Sequence, residues 1–278
     1  MVFIFYILFI LFLIFCLLAF LAAPSLNGLG RFKALDTRYF AHRGLHTKDR
    51  TVAENSLEAF ALACERGYGI ELDVQLSKDG KVVVFHDDTL KRVCGIDKRV
   101  DQLTYEELRN LKLHQTKSNI PLFSEVLALV NGRTALIVEL KTGKNNPVLC
   151  RKTLDHLRRY EGKYCIESFD PRIVAWFKKH AENVVRGQLA APVNSYGESA
   201  SRGVSLLMSF CLLNFMGRPD FIAYKNVPRP LPVRLSELMG AAKVCWTSRQ
   251  PHDNTGNTAE IFEFYEPEKT CASLIQPF

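Results

Sequence analysis

Charge is missing from the start of the chain. Residues 2–23, VFIFYILFILFLIFCLLAFLAA, contain no Asp, Glu, Lys, Arg or His, and no basic residue other than the N-terminus precedes Arg31. A secretory signal opens on a basic segment and carries an apolar run of about 7–15 residues, so a cleaved leader is the poorer reading, although Ala19–Ala23 would offer a small-residue cleavage site. About 22 residues at about 1.5 Å per residue span about 33 Å, enough for a hydrocarbon core of about 30 Å. Pro24, Asn27, Gly28 and Gly30 then end the helix. Residues 1–23 therefore read as a retained transmembrane helix and 24–38 as a juxtamembrane linker. Because Arg31, Lys33, Arg38 and Arg43 all follow the apolar run, the positive-inside rule places the rest of a single-pass membrane protein in the cytoplasm.

Other absences narrow the class. The eight cysteines show no CxxC spacing, which argues against a structural zinc site or a disulfide framework; most sit among apolar residues and read as small core residues. No GxGxxG loop follows the first strand, which disfavours an open dinucleotide-binding sheet. There is no internal repeat. The net charge of +7 and pI near 9.0 suit anionic headgroups or phosphorylated substrates, but the basic residues are dispersed and no nucleic-acid motif accompanies them.

What is present is an alternation. From residue 39 onward, short β-type runs are predicted at about 39–43, 69–76, 135–141, 164–169, 184–190, 220–224, 243–247 and 259–264. Several are continuously apolar, as strands covered on both faces are. Helical patterns lie between them: NSLEAFALACER, TYEELRNL with Thr104 and Glu107 spaced as a capping box, and DPRIVAWFKKH with Asp170 as N-cap and Pro171 at the first position. Eight strands with helical crossovers predict an α/β fold, a (β/α)8 TIM barrel over 39–278. Residues 87–134 are longer than one crossover needs and predict a small insertion after the second barrel strand. SRQPHDNTGNT, at 248–258, is too polar for a good helix, so the seventh helix is expected to be short or missing.

Carboxylates are depleted from strands, yet GIELDVQL carries Glu71 and Asp73. Read as a two-residue hairpin turn, Asp79-Gly80 places residue 86 opposite residue 73 and turns Glu71, Asp73 and His86 to one face at the barrel mouth. The bland alternative is an exposed edge hairpin with solvated acids. FAHRG adds His42 and Arg43 at the first strand's end; IVELK adds Glu139 and Lys141 at the third's. Glu71, Asp73 and Glu139 suit an all-oxygen site for a hard divalent cation, Ca²⁺ or Mg²⁺. His42 and His86 suit an acid/base pair, and Arg43 and Lys141 a phosphate. Together they fit phosphodiester cleavage.

HRG at 42–44, ENS at 54–56, ELDVQLSKDG at 71–80, VFHDDTL at 84–90 and VELK at 138–141, followed by ESF at 167–169 and WT at 246–247, resemble the glycerophosphodiester phosphodiesterase family over about residues 39–266. The resemblance implies a TIM barrel with a small insertion, Glu71, Asp73 and Glu139 as metal ligands, His42 and His86 as catalytic histidines, and Arg43 and Lys141 on the substrate phosphate. Glu54 would reach the glycerol or brace the residues around it. Trp246 would line the pocket or sit in the core. The implied reaction is metal-dependent hydrolysis of a glycerophosphodiester to glycerol 3-phosphate and an alcohol. The alternatives are a lysophospholipase D-like or cyclising lyase acting on membrane lysophospholipids, and an inactive membrane-anchored lipid-binding domain. The family often has Asn soon after WT; here the text is WTSRQPHDN, which puts the substrate pocket, rather than the metal centre, outside the pattern.

Overall fold

In the computed structural model, which describes residues 2–197, 200–251 and 256–268, the apolar runs become nine strands. They are β1 (Tyr39–Ala41), β2 (Gly69–Leu76), β3 (Val82–Val84), β4 (Leu136–Leu140), β5 (Tyr164–Ser168), β6 (Val185–Ala190), β7 (Phe221–Lys225), β8 (Ala242–Ser248) and β9 (Ala259–Phe262). All except β3 are parallel and ordered as in the chain, and β1 pairs with both β2 and β9, closing an eight-stranded barrel. The helices are α1 (Val2–Ala22), α2 (Gly28–Lys33), α3 (Leu57–Glu65), α4 (Lys91–Cys94), α5 (Tyr105–Leu108), α6 (Phe123–Val130), α7 (Asn146–Leu157), α8 (Pro171–His180), α9 (Arg202–Ser209), α10 (Asn214–Gly217) and α11 (Leu231–Leu238). The caps follow the sequence: Asp170 accepts from the Arg172 amide at 2.9 Å, and Glu107 accepts from the Thr104 amide at 2.8 Å.

The period of two sorts the side chains. Ile70, Leu72, Val74, Leu136, Val138 and Leu140 point outward and pack with Phe60, Phe123 and Val126 of the helices. Phe40, Ile137, Cys165, Leu189, Phe221, Val244 and Ile261 point inward and fill the lower lumen. Gly187 is required there, because a Cβ at that position would overlap the Phe221 ring.

Residues 24–38 do more than link. Phe32 of α2 and Leu35 are buried in the lumen cluster, with Phe32 4.8 Å from Phe221, so this stretch forms the barrel floor. The spacing of Phe32 and Leu35, three apart on a helical turn, carried that signal. Arg31 binds Asp220 at 3.0 Å, and the Ser25 amide donates to the Pro219 carbonyl at 3.0 Å, tying the floor to the start of β7. The last turn of α1 is fixed as well: Arg218 donates to the carbonyls of Phe20 (2.9 Å) and Ala23 (3.1 Å), and Phe215 stacks on Phe20. From Val2 to Leu17, α1 stands clear of the barrel.

The insertion is narrower than 87–134. Phe123, Val126 and Val130 of α6 belong to the main core beneath α3, so α6 is the barrel's own second helix. The inserted part precedes it and has its own small core, in which Phe85, Leu90, Val93, Val100, Leu108 and Leu113 pack together. Among the described residues between β8 and β9 there is no helix; residues 252–255 lie outside the described set. Of the seven described cysteines, Cys150, Cys165, Cys211 and Cys245 are buried, Cys64 and Cys94 are half-buried, and Cys16 is exposed.

Candidate active site

The upper lumen changes character within two residues. β2, β4 and β5 pair so that Asp73 registers with Glu139 and Glu139 with Glu167, placing three acids side by side on adjacent strands, with Glu71 one inward position below Asp73. All four are buried. Ligand oxygens of Glu71, Asp73 and Glu139 lie within 4.8 Å of one another. Their acidity reflects this crowding. Burial, then the charges of Asp73, Glu139 and Glu167, push Glu71 well above the ordinary carboxyl range. Burial and the neighbouring Glu139 and Asp73 do the same to Glu167. Asp73 differs: burial would raise it, but Lys141, His86, Arg43 and the Asn55 amide hold it low. Lys141 lies 2.7 Å from Glu139 and 3.3 Å from Asp73; burial works against its charge, but these two acids keep it protonated. Its partner Glu139 is nonetheless pushed up, by burial and by Asp73.

Four carboxylates against the Lys141 ammonium and the Arg43 guanidinium are an unbalanced set for an enclosed site. Glu167 Oε2 is buried and accepts no hydrogen bond. A hard divalent cation takes carboxylate oxygens and would supply the missing positive charge, and Asp73 Oδ1, also buried without a hydrogen bond, is an oxygen it would take. The donor set fits such an ion, with Glu71, Asp73 and Glu139 as holders.

His42 and Arg43 follow β1. The Arg43 amide donates to Glu71 Oε2 at 2.9 Å, which requires the chain to turn sharply; Arg43 takes a left-handed φ of 54° and Gly44 follows at 78°. A non-glycine residue held in that region is strained, and such strain clusters at functional sites. The His42 ring is pinned at Nδ1 by Glu263, 3.0 Å away, while its Nε2 lies 4.0 Å from Glu71. Burial, then Arg43, lowers His42 to about 4 despite Glu263. Hence His42 stays neutral near pH 7, with its proton on Nδ1 as the Glu263 contact dictates.

His86 reaches the mouth by a route other than the expected one. The hairpin loop has three residues, Lys78 to Gly80, between Ser77 and Lys81. The pairs are Val74–Val84, Gln75–Val83 and Leu76–Val82. That register sets Phe85, rather than His86, opposite Asp73, and the Phe85 amide donates to the Asp73 carbonyl at 3.0 Å. The Asp79-Gly80 pair misled because Gly80, at φ 71°, closes a longer loop. Phe85 turns away into the insertion core. The chain then leaves the strand, and Gln75 Nε2 donates to the carbonyls of Phe85 (2.8 Å) and Asp87 (2.9 Å), clamping His86 over the mouth. Asp87 holds His86 Nδ1 at 2.6 Å.

Glu54 lies behind Arg43. It accepts from Arg43 at 2.7 Å and from Arg92 at 2.6 and 2.8 Å; burial would raise it, but these guanidinium contacts hold it near 2. His114 comes within 3.5 Å of the same carboxylate. Arg92 also grips Asp87 at 2.7 Å, so one guanidinium braces the supports of both Arg43 and His86. His46 approaches Glu263 at 3.3 Å. His42, His46 and Glu263 are close enough to hold a metal, but Glu263 is already neutralised by Arg249 at 2.8 Å and bound to the His42 ring.

The mouth encloses a cavity of about 550 Å³ bordered by His42, Arg43, His86, Glu71, Glu139 and Glu167 on one side and by Phe169, Leu189, Trp246 and Ile261 on the other. Trp246 both lines it and packs into the lumen, with Nε1 donating to the Ala223 carbonyl at 3.0 Å. A larger hollow, about 720 Å³, opens at the floor around α2, but among its described lining residues Asp36 is the only acid and there is no histidine. The titratable groups gather at the mouth. Sequence reasoning missed Asn55, Asp87, Arg92, Glu167, Arg249 and Glu263, residues that hold or extend the predicted set.

Residues 42–264 match the model of the Glycerophosphoryl diester phosphodiesterase family. A Glycerophosphodiester phosphodiesterase of Bacillus altitudinis is 34% identical over 51% of this chain. A human Lysophospholipase D, GDPD3, is 29% identical over 75% of it. The matched stretches span 62% and 66% of those relatives' lengths, less than two thirds of either. The fold is that of an Oleispira antarctica phosphodiesterase solved in complex with the product sn-glycerol-3-phosphate, at a TM-score of 0.68, 20% identity and coverage of 84% of this chain and 94% of the other.

Proposed function

The chain belongs to the glycerophosphoryl diester phosphodiesterase family, and we propose on that basis that it is a metal-dependent phosphodiesterase that hydrolyses glycerophosphodiesters to glycerol 3-phosphate and an alcohol. The observation that carries the reading is the rung of acids at the mouth with His42, His86, Arg43 and Lys141 beside it. Glu71, Asp73 and Glu139 would hold one divalent cation, Ca²⁺ or Mg²⁺, which when bound supplies Lewis-acid neutralisation of a non-bridging phosphate oxygen. Arg43 and Lys141 orient the phosphate. His42, neutral and pinned at Nδ1, offers Nε2 as the general base for the glycerol 2-hydroxyl. His86, steadied by Asp87, gives a proton to the departing alcohol oxygen. Attack by the 2-hydroxyl yields a cyclic phosphate. With the proton roles reversed, water then opens it.

Phe169, Leu189 and Trp246 form an apolar wall facing these groups, which suits a lysophospholipid as a second substrate class, in line with the similarity to the human lysophospholipase D. Helix α1 is read as the membrane anchor; its last turn is bound to the barrel by Arg218 and Phe215, which supports retention over cleavage. The positive charges that follow it favour a cytoplasmic barrel.

The test is a coupled assay on the full chain in detergent. Glycerol 3-phosphate release from glycerophosphocholine and glycerophosphoethanolamine should cease in EDTA and return with Ca²⁺ or Mg²⁺. Release that EDTA leaves untouched would overturn the metal assignment. Choline release from lysophosphatidylcholine alone would move the substrate to the second class.

A further inference from the structure

Two helices on one side of the barrel are inside out. A surface helix normally buries its apolar stripe and exposes its polar one, as α7 does by burying Leu149, Leu154 and Leu157 while Arg151, Asp155 and Arg158 face outward. In α9 the buried residues are Ser205 and Ser209, each 3% exposed, whereas Val204, Leu206 and Leu207 are 43%, 39% and 40% exposed. In α11 Ser236 is fully buried with Val233, while Leu231 and Leu238 are 74% and 85% exposed. Ser209 Oγ lies 3.4 Å from the Tyr224 hydroxyl, so α9 is held in this rotation from within. Among the described residues, the outward leucines remain exposed.

We propose that the face made by α9 and α11 lies against the lipid bilayer entered by α1, so that the barrel rests on the membrane surface along this flank and does not project from a single helix. The proposal rests on the reading of α1 as an anchor. Continuity identifies the occupant: α9 runs through a short turn into α10, whose Phe215 stacks on Phe20 of α1 at 6.1 Å, and α11 packs against α1 as well. The face is therefore beside the point where α1 leaves the barrel. Charge agrees. Arg202 opens α9, Arg218 closes α10 and Arg234 is exposed on α11, cations at the margin of an apolar strip, the arrangement of helices that lie in the headgroup region.

The test uses the full chain reconstituted into vesicles of phosphatidylcholine with an anionic lipid. A photo-reactive benzophenone side chain is placed in turn at Ile10 in α1, at Leu207 in α9 and at Arg109 on the insertion, and lipid adducts are read by mass spectrometry after irradiation. The expected result is adducts at positions 10 and 207 and none at 109. An adduct at 10 without one at 207 leaves the anchor standing and overturns the proposal, as would a cross-linked second copy of the chain at 207 in place of lipid. Adducts at neither remove the anchor and the proposal together. As a second measurement, the double variant Leu206→Ser, Leu207→Ser should hydrolyse a soluble glycerophosphodiester at the wild-type rate but lose activity several-fold on a lysophospholipid held in the same vesicles. Equal retention on both substrates would count against the surface.

Discussion

The lower and upper halves of the barrel lumen are built on the same strands two residues apart, and they share almost nothing. Below, Ile137 and Cys165 meet Phe32, Leu35 and Phe221 in an apolar plug. Above, the next inward positions on the same two strands are Glu139 and Glu167. The lower half is stabilised by burial and shape. The upper half is crowded with like charge, and Glu71, Glu139 and Glu167 resist ionisation there. Stability and chemistry are thus separated along one axis, and what separates them is a single pleat period.

If that separation is real, the histidines should matter only to rate. His42→Ala or His86→Ala should lower kcat by about 10²–10⁴-fold with the melting temperature unchanged; retention of normal kcat in either would remove the acid/base assignment. The floor should behave in the opposite way. Phe32→Ala should cost about 3–5 kcal/mol of stability in denaturant titration, while the protein that remains folded keeps its kcat. A collapse of kcat in folded Phe32→Ala would show that the two halves are coupled.

The charge crowding should be visible against pH. Glu71 and Glu167 have folded pKa values raised above the usual 4.5, so the folded state keeps protons that the unfolded state releases. Stability in a chelator should therefore fall as pH rises above about 4.5. His42, lowered from 6.5 to about 4, has the opposite effect: its contribution grows as pH rises from about 4 to 6.5 and stays at its full, constant value above that. The acids are best isolated above pH 6.5. There, Glu167→Gln should flatten the decline of the melting temperature measured in EDTA, and a divalent cation should raise the wild type but raise the variant less. A wild-type melting temperature indifferent to both pH and cation would contradict the cation site. The smallest effect belongs to Arg92, half exposed and touching both Glu54 and Asp87. Arg92→Ala should reduce kcat/KM by about 10-fold, as expected of a group that positions others; no change would mean Arg43 and His86 are held without it.

Much of this could be read from the chain. Apolar runs ending in acids marked the strands and their upper ends, and the acids could be located because nothing else explains a Glu or Asp inside such a run. By the same signal Glu167 was within reach, since it ends YCIES as Glu139 ends IVEL, but only the register between β4 and β5 shows the two side by side. The hairpin shows how a correct placement can rest on an incorrect path: His86 reaches the mouth through the Gln75 clamp and not through strand pairing. Glu263 could not have been assigned without the closure of β9 on β1, a contact across more than two hundred residues that no local pattern encodes. The floor was missed for another reason. A short apolar turn after a long apolar helix looks like a tether until the barrel it plugs is present.

That floor has a mechanical consequence. With Phe32 and Leu35 seated in the lumen and Arg218 holding the last carbonyls of α1, the join between helix and barrel works as a bracket and not as a leash. With α1 in a bilayer, the mouth cannot swing through a wide arc in search of substrate; it keeps one height and one tilt. Encounter then depends on diffusion within a thin layer, and the rate should follow the density of substrate at the surface more closely than its concentration in bulk.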